Sequence, residues 1–134
     1  MAMALDAGLW RSTLPDGWEA EEEEESLLVY HPDGPGTLQF TCSEMEDGLV
    51  DDEDLRYFAD ELLAEGKEPA LVRIGPLAGL KFEYDDPDTA EWVVEWYLAA
   101  DDLFFFVTYS CPRVARGAED GAVDAILHAL ELDK

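Results

Sequence analysis

The sequence predicts an α+β domain, built from an antiparallel sheet and two amphipathic helices. Two kinds of apolar spacing carry this prediction: period-two alternation in several short runs, typical of strands with one buried face, and i, i+3, i+4 spacing in two longer segments. The third observation is the supply of apolar residues, since 48% of the 134 residues are hydrophobic. We therefore expect a single domain over residues 1–134, with residues 1–9 loosely ordered.

The N-terminal third is predicted to form an antiparallel hairpin or meander. Leu14-Pro15-Asp16-Gly17 has a turn signature, because proline fixes one φ angle and glycine accepts a positive one. An acidic run from Glu19 to Glu25 follows and leads into an apolar strand at 27–31. The Pro- and Gly-rich segment 32–36 then reverses the chain into a strand at 37–42.

From residue 51 the spacing changes to that of a helix. Asp51 to Asp54 stand at its start, where the unpaired N–H groups and the helix dipole favour negative charge, and Gly66 marks its end. The buried stripe is expected to consist of Leu55, Phe58, Ala59, Leu62 and Leu63.

The second half is predicted to contain the rest of the sheet and a closing helix. Three strands are expected at 80–84, 92–98 and 103–109, with 71–74 leading into the first, and the last is apolar on both faces and therefore central. A second helix is expected at 119–132. The predicted order is β-β-β-α-β-β-β-α, an α/β/α sandwich with about six strands and two helices.

Three aromatic residues of the 92–98 strand are candidates for partner binding. Trp92 and Trp96 point to one side of the strand and Tyr97 to the other. One hypothesis is that they fill the core. The other is that they line a concave sheet face that receives an apolar helix or peptide.

Charge restricts the class of partner. The net charge of −25 disfavours nucleic acids and anionic membranes and favours a basic or amphipathic protein. Glu21 and Glu23, in the acidic run, are candidate contacts for such a partner, although the same run suits a solvated edge strand. Solubility and adaptation to salt are alternative explanations, and the charge is spread over most segments rather than gathered in one tail.

No motif predicts a catalytic site, a metal site or a cofactor. Asp85, Asp86 and Asp88 lack the spacing of a calcium loop and are typical of a turn, and His31 and His128 have no ligand partners at metal-site spacing. Cys42 and Cys111 suit buried, reduced positions, and no apolar run reaches the length of a membrane span. We therefore expect a cytoplasmic protein, and we favour a non-catalytic role over an enzymatic one.

The Leu14-Pro15-Asp16-Gly17-Trp18 turn, followed by the element order above, resembles the PsbP-like fold. That fold is shared by a photosystem extrinsic subunit, a nuclear transport factor that binds the Ran GTPase, and many small bacterial proteins. The resemblance covers residues 10–132 at the level of element order. It implies an α/β/α sandwich and, through the adaptor chaperones of type VI secretion, a sheet that cradles apolar helices.

Two functional hypotheses follow from these observations. The first is a non-catalytic protein-binding module with an acidic surface, acting as an adaptor, a chaperone or an immunity-like protein. The alternative is a small-ligand-binding protein or an enzyme, with a pocket between the sheet and a helix.

Overall fold

The computed structural model describes residues 3–6, 8–24, 26–46 and 48–132. The strands in these ranges are β1 (Met3–Asp6), β2 (Trp10–Leu14), β3 (Glu19–Glu22), β4 (Leu27–Tyr30), β5 (Thr37–Glu44), β6 (Ala70–Ile74), β7 (Leu77–Asp86), β8 (Glu91–Ala100), β9 (Leu103–Pro112) and β10 (Glu131–Leu132). The α-helices are α1 (Asp52–Phe58), α2 (Asp60–Ala64) and α3 (Asp120–His128). None of these helices has the length and apolar character needed to cross a membrane.

The main sheet is antiparallel and has seven strands in the order β3-β4-β5-β9-β8-β7-β6. Its longest strands are β7, β8 and β9, which have ten residues each. β9 lies between β5 and β8, as its two apolar faces predict. The predicted α+β class is confirmed, and β3 and β6 are the two edges of the sheet.

A second sheet of three strands, β1-β2-β10, is absent from the predicted element order. Residues 3–6, expected to be loosely ordered, pair with β2. In β2 the inward positions are Trp10, Ser12 and Leu14, so a serine interrupts the apolar alternation that would have indicated a strand. Ser12 is buried and its hydroxyl donates a 2.7 Å hydrogen bond to the carbonyl of Ile126 in α3.

The predicted first helix starts and stops as expected but is broken in the middle. Asp51 caps it in a reciprocal pair of hydrogen bonds with Asp54. At the other end Gly66 has φ of +87°, and hydrogen bonds from Gly66 to Leu63 and from Lys67 to Leu62 close a glycine-dependent stop. Ala59, with φ −92° and ψ 13°, separates α1 from α2.

The predicted second helix ends early. α3 stops at His128, and residues 131–132 form β10 against β2 instead of continuing the helix. Leu132 lies opposite Trp10 in this pair, so the C-terminal end closes the small sheet.

Apolar side chains form a core on each side of the main sheet, which confirms the α/β/α sandwich. The larger core contains residues of α3 and β2 together with Trp92, Trp96 and most of the inward side of β9. The smaller core packs Leu55, Ala59 and Leu62 of the helices against Leu80, Phe82 and Tyr97. The short α1 and α2 cover less of the sheet than the opposite layer does.

Candidate binding face

Four large apolar side chains are exposed on or beside α1. Leu49 and Leu71 are each 75% exposed and Tyr57 78%, while Phe58 is 38% exposed and its ring lies 4.4 Å from that of Phe104. Tyr57 points away from the sheet because it falls between the buried positions Leu55 and Ala59 on the helix. We call Leu49, Tyr57, Phe58 and Leu71 the α1 patch. Isolated exposed apolar residues are ordinary, but four of them on one short helix and the segments beside it make this region a candidate interaction site.

A groove opens where α1 begins. It has a volume of about 300 Å³ and lies between the start of the helix and the edge strand β6. Its lining is mainly apolar, from Val50, Leu55 and Leu71, and the backbone reaches its surface at Gly79. Asp51 and Asp52 also line it. An apolar side chain entering this groove would therefore pass beside carboxylates.

A second pocket, of about 550 Å³, lies beside α2 and the end of the β7–β8 hairpin. At its centre the carboxylate of Glu95 accepts hydrogen bonds from the hydroxyl groups of Tyr84 and Tyr97, the latter at 2.9 Å. Burial, followed by these bonds to Glu95, raises the pKa of both phenols well above the ordinary value. The two tyrosines thus stay neutral donors at physiological pH.

The lining of this second pocket is strongly acidic. Lys67 is the basic residue of its lining, with its ammonium group 2.7 Å from a carboxylate oxygen of Glu65 and 4.8 Å from the centre of the Tyr84 ring. The acidic members of the lining are Glu61, Glu65, Asp85, Asp86, Asp88 and Glu95. Such a surface offers a cationic ligand the same contacts, with an aromatic ring on one side and a carboxylate on the other.

The three aromatic residues proposed from the sequence lie inside the protein. Trp96 is 3% exposed, and Trp92 and Tyr97 are also buried. Trp92 and Trp96 belong to the larger core, and Tyr97 to the smaller one, so the predicted opposite directions are observed. Arg116 stacks over Trp92 at 3.8 Å and Lys81 over Trp96 at 5.5 Å. Of the three, Tyr97 lines the pocket beside α2.

The two glutamates proposed from the sequence lie on the far side of the sheet. Glu21 is in β3, whose four residues are all exposed, and its carboxylate raises the pKa of Tyr30. Glu23 lines a small pocket of about 240 Å³ next to Leu9 and Trp10. β3 and β8 are four strand spacings apart, about 19 Å. The structure therefore does not bring the glutamates and the aromatic residues into one site.

Other chemically suggestive residues have structural partners. Asp86 accepts a hydrogen bond from the backbone of Asp88, as in a tight turn, and Asp85 forms an ion pair with Arg113. Both cysteines are free, and burial raises the pKa of the Cys42 thiol to about 11, which keeps it protonated. Within the described ranges, no group of His, Cys, Asp and Glu side chains is arranged to hold a metal ion.

Little in the sequence indicates the α1 patch. Tyr57 stands off the apolar stripe of the helix, and such single residues are common on surfaces. Leu71 begins the short apolar segment 71–74, and its exposure depends on β6 being an edge. A strand order is a property of the whole sheet and is not encoded in five residues.

Comparison with known proteins defines the class of fold. A protein from Bacteroides thetaiotaomicron VPI-5482 superposes with a TM-score of 0.69 at 20% identity over 94% of this chain, which spans 46% of that protein. The Saccharomyces cerevisiae Ran-binding protein Mog1p gives 0.60 at 10% identity, covering 98% of this chain and 95% of its own. PsbP (CyanoP) from the cyanobacterium Synechocystis sp. PCC 6803 gives 0.51 at 10% identity, covering 98% and 92%.

These likenesses show that the chain has a PsbP-like fold, as the sequence resemblance indicates. No family model matches the sequence, and no curated protein matches it. Identities of 20% and below establish the fold alone, since one fold supports many functions.

Proposed function

We propose that the protein is a non-catalytic, cytoplasmic protein-binding module, whose α1 patch receives a basic, amphipathic segment of a partner. The exposure of Leu49, Tyr57, Phe58 and Leu71, on α1 and on the segments beside it, carries this proposal. The proposed binding surface lies on the solvent-exposed side of α1 and at β6, whereas Trp92 and Trp96 are buried in the core.

The patch has the composition of a binding surface. A tyrosine supplies a large contact area and loses little side-chain entropy, and such residues often dominate the energy of an interface. The helices here are rich in carboxylates, from Asp51 and Asp52 at the start of α1 to Asp60 and Glu61 in α2. A partner with apolar side chains between lysines or arginines would satisfy both features.

The fold neighbours support the general role but not a particular partner. One of them carries the name of a Ran-binding protein, which shows that this architecture can present a protein-binding surface. An adaptor, a chaperone or an immunity-like protein would each use such a surface. This part of the proposal rests on analogy of fold.

A designed peptide tests the role of the patch. The probe is an 18-residue amphipathic peptide of leucine and lysine, titrated calorimetrically at low and at high salt. The substitutions Tyr57→Gln and Leu71→Thr keep helix and strand propensity and remove apolar surface. We expect each to weaken binding at least about tenfold at high salt, where apolar contacts dominate.

The matched control is Val114→Thr, because Val114 is 97% exposed and lies outside the patch. It should bind the peptide like the unaltered protein. Equal binding by all three variants at both salt concentrations would mean that the peptide responds only to negative charge, and the proposed role of the patch would then be wrong.

Binding of a small cation in the pocket beside α2 is a second candidate function. The position of Lys67 on the Tyr84 ring and on Glu65 favours it, because the chain's own ammonium group already uses this surface. A titration with spermidine tests this candidate function, and the changes in the chemical shifts of residues 61–67 and 84–97 are the readout. Equal affinity of the protein and of its Glu95→Gln, Tyr84→Phe variant would count against a specific site.

A further inference from the structure

The two edges of the main sheet are protected very differently. At one edge, all four residues of β3 are exposed and three of them are glutamates. An added strand there would meet a row of carboxylates, which is a common protection against edge-to-edge pairing. At the other edge, β6 has the sequence Ala-Leu-Val-Arg-Ile and contains no acidic residue.

β6 is available for pairing along its outer side. Within the described part of the chain it pairs with β7 alone, so every second backbone N–H and C=O group faces outward. Pro69 and Pro76 bound the strand and leave five residues for a partner. The groove at the start of α1 lies next to this edge and is lined by Leu71 and Val72.

The charge at this edge differs from that of the rest of the protein. Residues 69–84 contain Arg73, Lys81 and Glu83, a net charge of +1 in a chain of −25. Lys81 is paired with Glu83 at 3.3 Å. Arg73 is exposed and forms no ion pair with any residue that the structure describes. An unpaired guanidinium at an exposed edge offers a carboxylate two parallel hydrogen bonds.

From these features we infer that β6 accepts an extended segment of a protein partner as an eighth strand of the sheet. Leu71 and Arg73 are two residues apart and so lie on the same face of β6. The added strand presents an apolar residue against Leu71 and the groove, and a carboxylate against Arg73. In an antiparallel arrangement the partner reads acidic-x-apolar, and in a parallel one apolar-x-acidic.

The remainder of the added segment is neutral or basic, because the surrounding surface is negative. This inference rests on the proposed function, whose binding face it extends by naming how the partner is held. It differs in its main source of affinity, since backbone hydrogen bonds rather than apolar contacts fix the segment in place.

Two nine-residue peptides test the strand addition. Both are built from threonine and serine with one lysine at each end, and they carry Asp-x-Val or Val-x-Asp at the centre. One of the two should bind, and the outward-facing amides of residues 70–74 should then exchange with deuterium at least about tenfold more slowly. N-methylation of the central peptide residues should weaken binding by a similar factor, because it removes the donors that pair with β6.

Charge exchange tests the role of Arg73. Arg73→Glu should weaken binding of the aspartate peptide about fivefold, and replacing the aspartate by lysine should restore binding to this variant. Unchanged binding of the N-methylated peptide, or protection of amides elsewhere than in β6, would overturn the strand addition. So would a failure of both peptides to bind.

These outcomes separate the two proposals. If the threonine peptides fail while Tyr57→Gln and Leu71→Thr still weaken the leucine–lysine peptide, strand addition is wrong and the proposed function stands. If β6 is protected by a threonine peptide while Tyr57→Gln and Leu71→Thr leave leucine–lysine binding unchanged, the edge accepts a strand and the proposed role of the patch is wrong.

Discussion

Leu71 and Leu80 lie opposite each other in the β6–β7 pair, yet their replacement should have very different effects on stability. Complete burial of a leucine side chain is worth about 1.5–3 kcal/mol. Leu71 is 75% exposed, so a quarter of that value, about 0.5 kcal/mol, is at stake. Leu71→Thr should therefore change the free energy of unfolding by about 0.5 kcal/mol, since threonine also suits a strand.

Leu80 provides the contrast, because it is fully buried in the core beneath α1. Leu80→Ala should lower the free energy of unfolding by about 2–5 kcal/mol, through lost burial and the cavity that remains. Urea titration followed by tryptophan fluorescence measures both variants, since the four tryptophans are buried in the folded protein. A loss above about 1.5 kcal/mol for Leu71→Thr would show that Leu71 serves folding rather than binding.

Three further predictions concern the elements that position the binding face. Gly79→Ala should lower the free energy of unfolding by about 3 kcal/mol, because a Cβ would collide with the Tyr97 carbonyl of the neighbouring strand. Gly121→Ala should raise it by about 0.5–1 kcal/mol, because open space surrounds this glycine in α3, and a urea titration compares the two variants. Asp51→Ala should cost about 0.5–2 kcal/mol by removing the cap of α1, and a cost near zero would contradict the capping role. The raised pKa values of Tyr84 and Tyr97 predict stability that is full below pH 10 and falls as the pH rises further, because ionisation is easier in the unfolded chain; in the double phenylalanine variant this alkaline loss should be smaller, and an unchanged loss would contradict the assignment.

The fold could be predicted where local pattern and global structure agree. The strand at 80–84 alternates clearly, the strand at 103–109 is apolar on both faces, and Asp51 and Gly66 carry local signals for the ends of a helix. The sequence does not predict the three-stranded sheet, because Ser12 occupies a buried position in β2, where its hydroxyl donates a hydrogen bond to a carbonyl group of α3. In the sequence, a buried serine whose hydroxyl is hydrogen-bonded cannot be told apart from a serine that faces solvent.

The candidate site was less predictable, because it depends on contacts between distant segments. Trp92 and Trp96 attract attention in the sequence, but their large apolar surface is covered by the larger core. Leu71 and Arg73 are candidate binding residues because β6 lies at the edge of the sheet. Glu95 is a candidate because two tyrosines donate hydrogen bonds to it. None of these relations has a local signature.

Site-specific photo-crosslinking in the cells that produce the protein tests whether the α1 patch is the binding face. A benzoylphenylalanine is placed at position 57 in the α1 patch, or at position 114 as a control with similar exposure. We expect a discrete adduct with a basic protein from position 57, its loss when Leu71→Thr is combined with the probe, and no such adduct from position 114. Equal labelling from both positions, unaffected by Leu71→Thr, would contradict the assignment of the α1 patch as the binding face.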